Sequence, residues 1–240
     1  PMLIGTLASL EIIRRQLHAD LQERLDQSGE GVRLEIEQTR AELYMGAKAL
    51  SNEKELCSAF QSKDLQQILR ELIQAKTIMG IDSVTAVGAD GTVLARAHEP
   101  GRYGDALAID DVGTRVLQGQ EYAGMAAGER GIVIEVALPI YTDTGADPGG
   151  VLKVGKLLDY AFLDRLKTKF GLELVLYNSQ RLQGTTFVDT DVLVDTNHAA
   201  LHQRVRTHKQ RVDTELWLGK QEYDLPQKKW TTETLSLGCL

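Results

Sequence analysis

From Ser83 to Asp159 the order of apolar runs and turns leaves few architectures open. The stretch begins SVTAVGADGTVLARAHEP, two apolar runs flanking Asp90-Gly91. An Asp-Gly pair so placed is the strongest short-range hairpin signal. GRYGDAL and a short helix-like piece, DDVGTRVLQGQ, come next. Two more strand-like runs follow, IVIEVALPIY and GGVLKVGKLL, joined by the turn-rich TDTGADPGG. The pattern predicts an antiparallel sheet with polar groups on one face, which suits a small-molecule pocket better than a catalytic centre.

Residues two apart on a strand share a face, so alternation sorts the side chains. Leu94, Arg96 and His98 fall on one side of the second strand, with Val93, Ala95 and Ala97 on the other. Ile132, Ile134, Val136 and Leu138 form a continuous apolar face fit to pack on helices, whereas Val133, Glu135 and Ala137 point away from it. In the last run Val151, Lys153 and Gly155 oppose Leu152 and Val154. Arg96, His98, Glu135 and Lys153 are therefore polar residues inside apolar strands, and a charge there is costly unless paired or exposed. Two readings stay open: solvent exposure or an Arg96–Glu135 ion pair, or convergence beneath the loop Pro100 to Asp105 onto a small ligand. The ligand reading takes in Tyr103 and Asp105 of that loop, and Tyr122.

Ahead of the sheet the period is helical. Leu10, Ile13, Leu17, Leu21 and Leu25 recur at spacings of three and four, and Val32, Ile36, Leu43, Ala47 and Leu50 resume the face. Forty helical residues would stretch about 60 Å, too long for one small core to bury. Gly29 and Gly31 interrupt the pattern, so it is either a hairpin broken near Ser28 to Gly31 or a single spine whose spare face suits a partner helix. A second helix is expected from Asp64 to Lys76, with Asp64 and Gln67 at capping-box spacing, Leu65, Ile68, Leu69 and Leu72 as its stripe, and Met79-Gly80 as its end. Asp159 is expected to cap a helix AFLDRLKTKF that Gly171 ends. The plan then restarts with LELVLYNSQ, RLQGTTF, a helical stretch around Leu193 to Gln210, and the strands TELWLGKQEYDLP and KWTTETLSLGCL. Strand, turn and strand at Val84 to Arg96 and again at Leu174 to Thr186 suggest a degenerate repeat of about ninety residues.

Composition narrows the function classes. With 240 residues, 42% hydrophobic and 25% charged, the chain has the makeup of a globular protein of one large or two small domains. A net charge of −7 argues against nucleic acid as a partner. No run of about 18 apolar residues spans a membrane, and no signal peptide is evident, yet both ends read as cut from a longer chain. His198 and His202 lack the Glu of a zinc hydrolase and a third ligand. Asp189, Asp191 and Asp195 lack the glycine turn and terminal Glu of a calcium loop. GGVLKVGK lacks phosphate-loop spacing and leads into a strand. No nucleophile, base and orienting group stand together, so no catalytic residue, metal or cofactor is expected.

The order LARAHEPGRYGD, IEVALPIY, GGVLKVGKLLDYAFLDRLK, GLELVLYN and TT resembles the extracytoplasmic double Cache sensor domains of bacterial chemoreceptors, sensor histidine kinases and diguanylate cyclases. The resemblance implies an α+β fold with a long N-terminal helix and two tandem PAS-like antiparallel-sheet (Cache) modules. It places a helical spine at 1–76, a membrane-distal ligand-binding module at 77–158 and a membrane-proximal module at 159–240. It also implies an extracytoplasmic (periplasmic) domain of an inner-membrane receptor, tied to the membrane only by flanking transmembrane helices. A homodimer through the N-terminal helix would follow, with Cys57 near the distal tip, Cys239 near the membrane, and the basic residues between Arg204 and Lys229 either close to lipid or simply a solvated face. Amino-acid-binding relatives carry an aspartate for the ligand amine in the last strand of the distal module. The matching position here is Gly155, flanked by Lys153 and Lys156. Arg96, His98 and Lys153 instead favour an organic anion, while Glu135 leaves a zwitterion open. The alternatives are a soluble periplasmic binding protein, a small-molecule α+β enzyme, or a purely structural dimerisation domain.

Overall fold

The computed structural model describes residues 2–106, 111–128, 130–142, 147–178, 181–187, 212–218 and 231–237, with 2–11, 111, 177–178, 181, 212–218 and 231–237 described by backbone alone. The fold is α+β, and the chain divides into two compact units. A central unit comprises Ile36–Asp159, and a terminal unit comprises Pro1–Glu35 with Tyr160–Leu240.

The first helix, α1 (Met2–Ser51), is one unbroken element of 50 residues and supplies residues to both units. The hairpin alternative at Ser28 to Gly31 is thereby excluded. The glycines have a local use within the terminal unit. A Cβ on Gly31 would lie 2.8 Å from Cδ1 of Phe170, so the missing side chain makes room for that ring. Ser28 Oγ donates to the Phe170 carbonyl at 3.2 Å, and Lys169 pairs with Glu35 at 2.5 Å. Phe170 ends α5 (Tyr160–Phe170), whose Phe162, Leu163 and Leu166 are buried. Gly171, at φ +68, closes the helix by donating to the Lys167 carbonyl.

In the central unit, α1 buries Ile36, Leu43, Ala47 and Leu50. A helix absent from the sequence reading follows, α2 (Lys54–Ser62), with Leu56, Ala59 and Phe60 buried. Then comes α3 (Leu65–Met79), closed by Gly80 at φ +60, the end that the Met79-Gly80 pair predicts. Asp64 caps it, its carboxylate accepting from the amides of Gln66 and Gln67. The expected reciprocal half of the capping box does not form. The Gln67 side chain donates to Glu71 instead, and the Asp64 amide goes to the Ala59 carbonyl.

The sheet of this unit contains β1 (Ser83–Gly88), β2 (Val93–Arg96), β3 (Tyr122–Gly128), β4 (Gly131–Ile140) and β5 (Gly150–Leu157). Its order is β2-β1-β5-β4-β3, antiparallel throughout. The Asp90-Gly91 turn forms as expected, with Gly91 at φ +82. β2 ends at Arg96, one turn of alternation short of His98. β3 was not foreseen, because its AGMAAG core lacks the β-branched residues that mark a strand; pairing with β4 along seven residues secures it. One sheet face carries Val84, Ala86, Ile134, Val136, Leu138, Leu152 and Val154, all buried, and the helices supply the matching apolar surface. Phe60 of α2 lies against Gly150 on that face, where a Cβ would sit 2.6 Å from its ring. The opposite face is covered by α4 (Asp111–Leu117), whose Val116 joins Val87, Ala137 and Val151 in a second buried cluster.

Among its described residues the terminal unit holds two antiparallel ladders, β6 (Val175–Asn178) with β7 (Arg181–Thr185), and β8 (Val212–Leu218) with β9 (Thr231–Leu237). The register of β1 on β2 shifts between Ala86 and Val87, and that of β6 on β7 between Leu176 and Tyr177, ninety residues on. The two hairpins thus carry a register shift at matching positions. The helical stretch around Leu193 to Gln210, the pairs His198/His202 and Asp189/Asp191/Asp195, the basic residues Arg204 to Lys229, and Cys239 have no described side chains, and most lie outside the described residues altogether.

Candidate functional site

Register decides which polar residues can meet. Arg96 pairs with Thr85, Thr85 with Lys153, Lys153 with Ala137, and Ala137 with Tyr122. These five residues form one row across all five strands on the face that α4 covers. Ser83, Gly155, Glu135 and Gly124 form the next row. Arg96, Lys153, Glu135 and Tyr122 are thus brought onto one face within two adjacent rows, as strand alternation predicts for the first three.

Their partners differ from those expected. Arg96 does not pair with Glu135. It is 6% exposed, and its guanidinium makes a two-pronged ion pair with Asp105, Nη1 to Oδ1 at 2.7 Å and Nη2 to Oδ2 at 2.8 Å. Nη1 also donates to the Arg102 carbonyl at 2.9 Å. Hydrogen bonding from Arg96 holds the Asp105 carboxyl well down, to about 2. The backbone follows the same path. Val93 N donates to Asp105 O, Gly104 N donates to Val93 O, and Thr92 bridges Ala106. The loop after β2 therefore folds back along that edge strand, and the Arg96–Asp105 pair fastens it.

Glu135 pairs instead with Lys153, its diagonal neighbour across β4 and β5, at 3.3 Å. Both are largely buried, at 17% and 16% side-chain exposure. On either side of Glu135 the directly opposed residues are glycines, Gly155 and Gly124. Ser83 Oγ occupies the space a side chain would take at Gly155. The Tyr122 ring does so at Gly124, where a Cβ would lie 2.8 Å from its Cζ, and its hydroxyl donates to the Met125 carbonyl. The pair thus sits on a floor kept low by glycine and walled by a hydroxyl and a phenol. Lys156, the other lysine beside Gly155, pairs with Asp82 at 3.4 Å and donates to the Gly80 carbonyl.

His98, beyond the end of β2, is half-buried, and its Nδ1 is buried without a hydrogen-bond partner. Burial, then the positive charge of Arg130, pushes its pKa below the ordinary histidine value. Tyr103 is 61% exposed and is not drawn in with the others. Ser83 and Thr85, which share the face, escaped the sequence reading; strand parity from Val84 would have found them. A shallow groove of about 330 Å³ lined by Lys54, Glu55, Ser58 and Asp64 runs along α2 and the start of α3 and touches none of these residues. Among the described residues no three His, Cys, Asp or Glu side chains gather as a metal site.

The sequence profile for the double sensory domain of two-component sensor kinases matches residues 18–225. The chain belongs to this double Cache family. Its fold agrees with solved double Cache sensor domains. The sensor domain of the Vibrio cholerae histidine kinase DctB is 14% identical over 92% of this chain and 90% of that one, with a TM-score of 0.56. The sensory domain of the Campylobacter jejuni chemoreceptor Tlp3, solved with isoleucine bound, is 12% identical over 85% and 84%, with a TM-score of 0.57. The periplasmic domain of Vibrio cholerae LuxQ is 17% identical over 68% and 78%, at 0.51. No curated protein matches the sequence. This double Cache domain is a sensory module, and the resemblance read from its sequence is correct.

Proposed function

We propose that this domain is the extracytoplasmic, periplasmic part of an inner-membrane receptor and that it binds a small zwitterion or carboxylate on the α4-covered face of the central unit. The observation that carries the reading is the largely buried Glu135–Lys153 pair. Two charges withdrawn from water are a weak source of stability, and a well-packed apolar pair of similar volume often does as well or better. Their presence on the face that also carries the buried cluster of Val87, Ala137 and Val151 is better accounted for by recognition. Glu135 would take the ligand's ammonium, and Lys153 its carboxylate. Tyr122 and Ser83 would wall the site. Arg96 and Asp105 serve as the brace of the covering loop, which weighs against Arg96 as the main anion anchor.

The sensory character of the family supports this assignment, as does the Tlp3 structure with isoleucine bound. No described helix is long and apolar enough to cross a membrane, so attachment would come from flanking segments. The membrane signal would pass along α1, which shares residues with both units, and a homodimer would form through its exposed Ile13, Leu17 and Leu21. A ligand shifts such a system only by its differential affinity for the two states.

A thermal-shift screen of amino acids, mono- and dicarboxylates and amines tests the site. A ligand at 100 times its Kd adds about 2.7 kcal/mol. Glu135→Gln and Lys153→Met, both folded, should each abolish the shift. A hit that survives both substitutions would place recognition elsewhere.

A further inference from the structure

Between α4 and β3 the chain makes a tight turn that is anchored far away in sequence. Gln118 and Gln120 donate their amides to the Arg115 carbonyl, and Gly119, at φ +85, donates to Val116. The next residue, Glu121, receives two hydrogen bonds from α1. Tyr44 Oη donates to Oε2, and Lys48 Nζ donates to Oε1. Tyr44 and Lys48 are one helical turn apart, so their side chains share a face of α1. The Tyr141 hydroxyl closes the other side, 3.0 Å from where a Cβ on Gly119 would stand. The hydrogen bonds from Lys48 and Tyr44 lower the Glu121 pKa, and Glu121 in turn raises those of Tyr44 and Lys48, so at neutral pH a carboxylate faces an ammonium and a phenol that keeps its proton.

The placement of Glu121 matters more than its strength. It precedes Tyr122, which packs on the buried cluster of Val87, Val116, Ala137 and Val151, and it ends the short turn that leaves α4. The element that covers the candidate site and the helix that would carry the signal therefore meet at one carboxylate.

We propose that Glu121 is a positioning residue that fastens the α4–β3 turn to Tyr44 and Lys48, so that a displacement of α4 over the sheet is passed to the last turns of α1. The alternative route runs through the apolar core on the other side of the sheet. Only the Glu121 route is severed by removing one surface charge. The inference rests on reading α4 as the element a ligand displaces, but its test needs no ligand. The displacement is supplied by Val116→Ala, which opens a cavity beneath α4.

Amide hydrogen exchange is measured on the whole chain for wild type, Val116→Ala, Glu121→Gln and the double variant. Val116→Ala should speed exchange in α4 and also, by about three-fold or more, in the α1 segment 44–51. In the Glu121→Gln background the effect on α4 should persist and the effect on α1 should vanish. A Glu121 that merely stabilised α1 would shift its exchange by the same factor with or without the cavity, so non-additivity is the diagnostic readout. Equal α1 responses in both backgrounds, or no α1 response in the protein that keeps Glu121, would overturn the proposal. Should Glu121→Gln fail to fold, Tyr44→Phe with Lys48→Met breaks the same clamp from the helix side and is judged by the same criterion. A failed ligand screen would leave this result untouched, so the two readings fail separately.

Discussion

Arg96 and Asp105, nine residues apart, face each other through two parallel hydrogen bonds of 2.7 and 2.8 Å, with the guanidinium buried and the carboxylate 39% exposed. The bidentate geometry is the one Arg alone provides. It turns what the sequence offers as an anion-binding arginine into a clasp between an edge strand and its following loop.

Replacing Arg96 with Met should therefore lower the melting temperature by several degrees, because Asp105 keeps only the longer contact to Arg102 at 3.9 Å and the 99–105 loop loses its side-chain clasp. Arg96→Lys should restore only part of that loss, since an ammonium cannot grip both oxygens. Thermal unfolding by circular dichroism measures both. A neutral Arg96→Met would remove the clasp from the account.

Two acidic limbs should appear in stability against pH. His98 has a folded pKa below its unfolded value of about 6.5, so its contribution is complete above that value and fades as pH falls through the folded pKa. The Asp105 carboxyl is lowered from 3.8 to about 2, so its contribution is present above 3.8 and is lost as pH falls toward 2. Histidine NMR titration should give His98 a midpoint below 6.5, and His98→Gln should flatten only the upper limb. Asp105→Asn should flatten only the lower one.

Gly29 and Gly31 sit two apart in one helix and should answer the same substitution in opposite ways. Nothing lies within 4 Å of a Cβ built on Gly29, so Gly29→Ala should stabilise by about 0.5–1 kcal/mol through helix propensity. At Gly31 the Phe170 ring blocks the methyl, so Gly31→Ala should lose that gain or destabilise. Phe170→Ala in the Gly31→Ala background should recover the propensity term. Chemical denaturation of the wild type and these three variants is sufficient to compare them.

Ile13 and Leu17 stand 60% and 58% exposed on α1, with Leu21 one turn further at 44%. If this stripe pairs two copies, sedimentation should show a concentration-dependent dimer that Leu17→Glu with Leu21→Glu abolishes while leaving helix content unchanged. A wild-type chain that stays monomeric at every concentration tested would leave the stripe without that role.

Several features were legible in the residues because they depend only on local physics. The 3.6-residue period of Ile36, Leu43, Ala47 and Leu50, the Asp64 cap, the Asp90-Gly91 turn and the alternation of Ile134, Val136 and Leu138 each follow from backbone geometry and neighbours close in sequence. So does the family, whose element order is written along the chain. β3 was hidden because alanine and glycine carry no strand signal of their own and depend on β4 for it. α2 was hidden because its nine residues, with no side-chain cap on Glu53, are too short to show a period. Partner choice was beyond the sequence altogether. Alternation put Arg96, Glu135 and Lys153 on one face, but whether Arg96 meets Glu135 or Asp105 depends on how the strands align and where the loop returns. Only the folded register settles that, since a charge buried by tertiary packing must take whichever opposite charge the packing brings within reach.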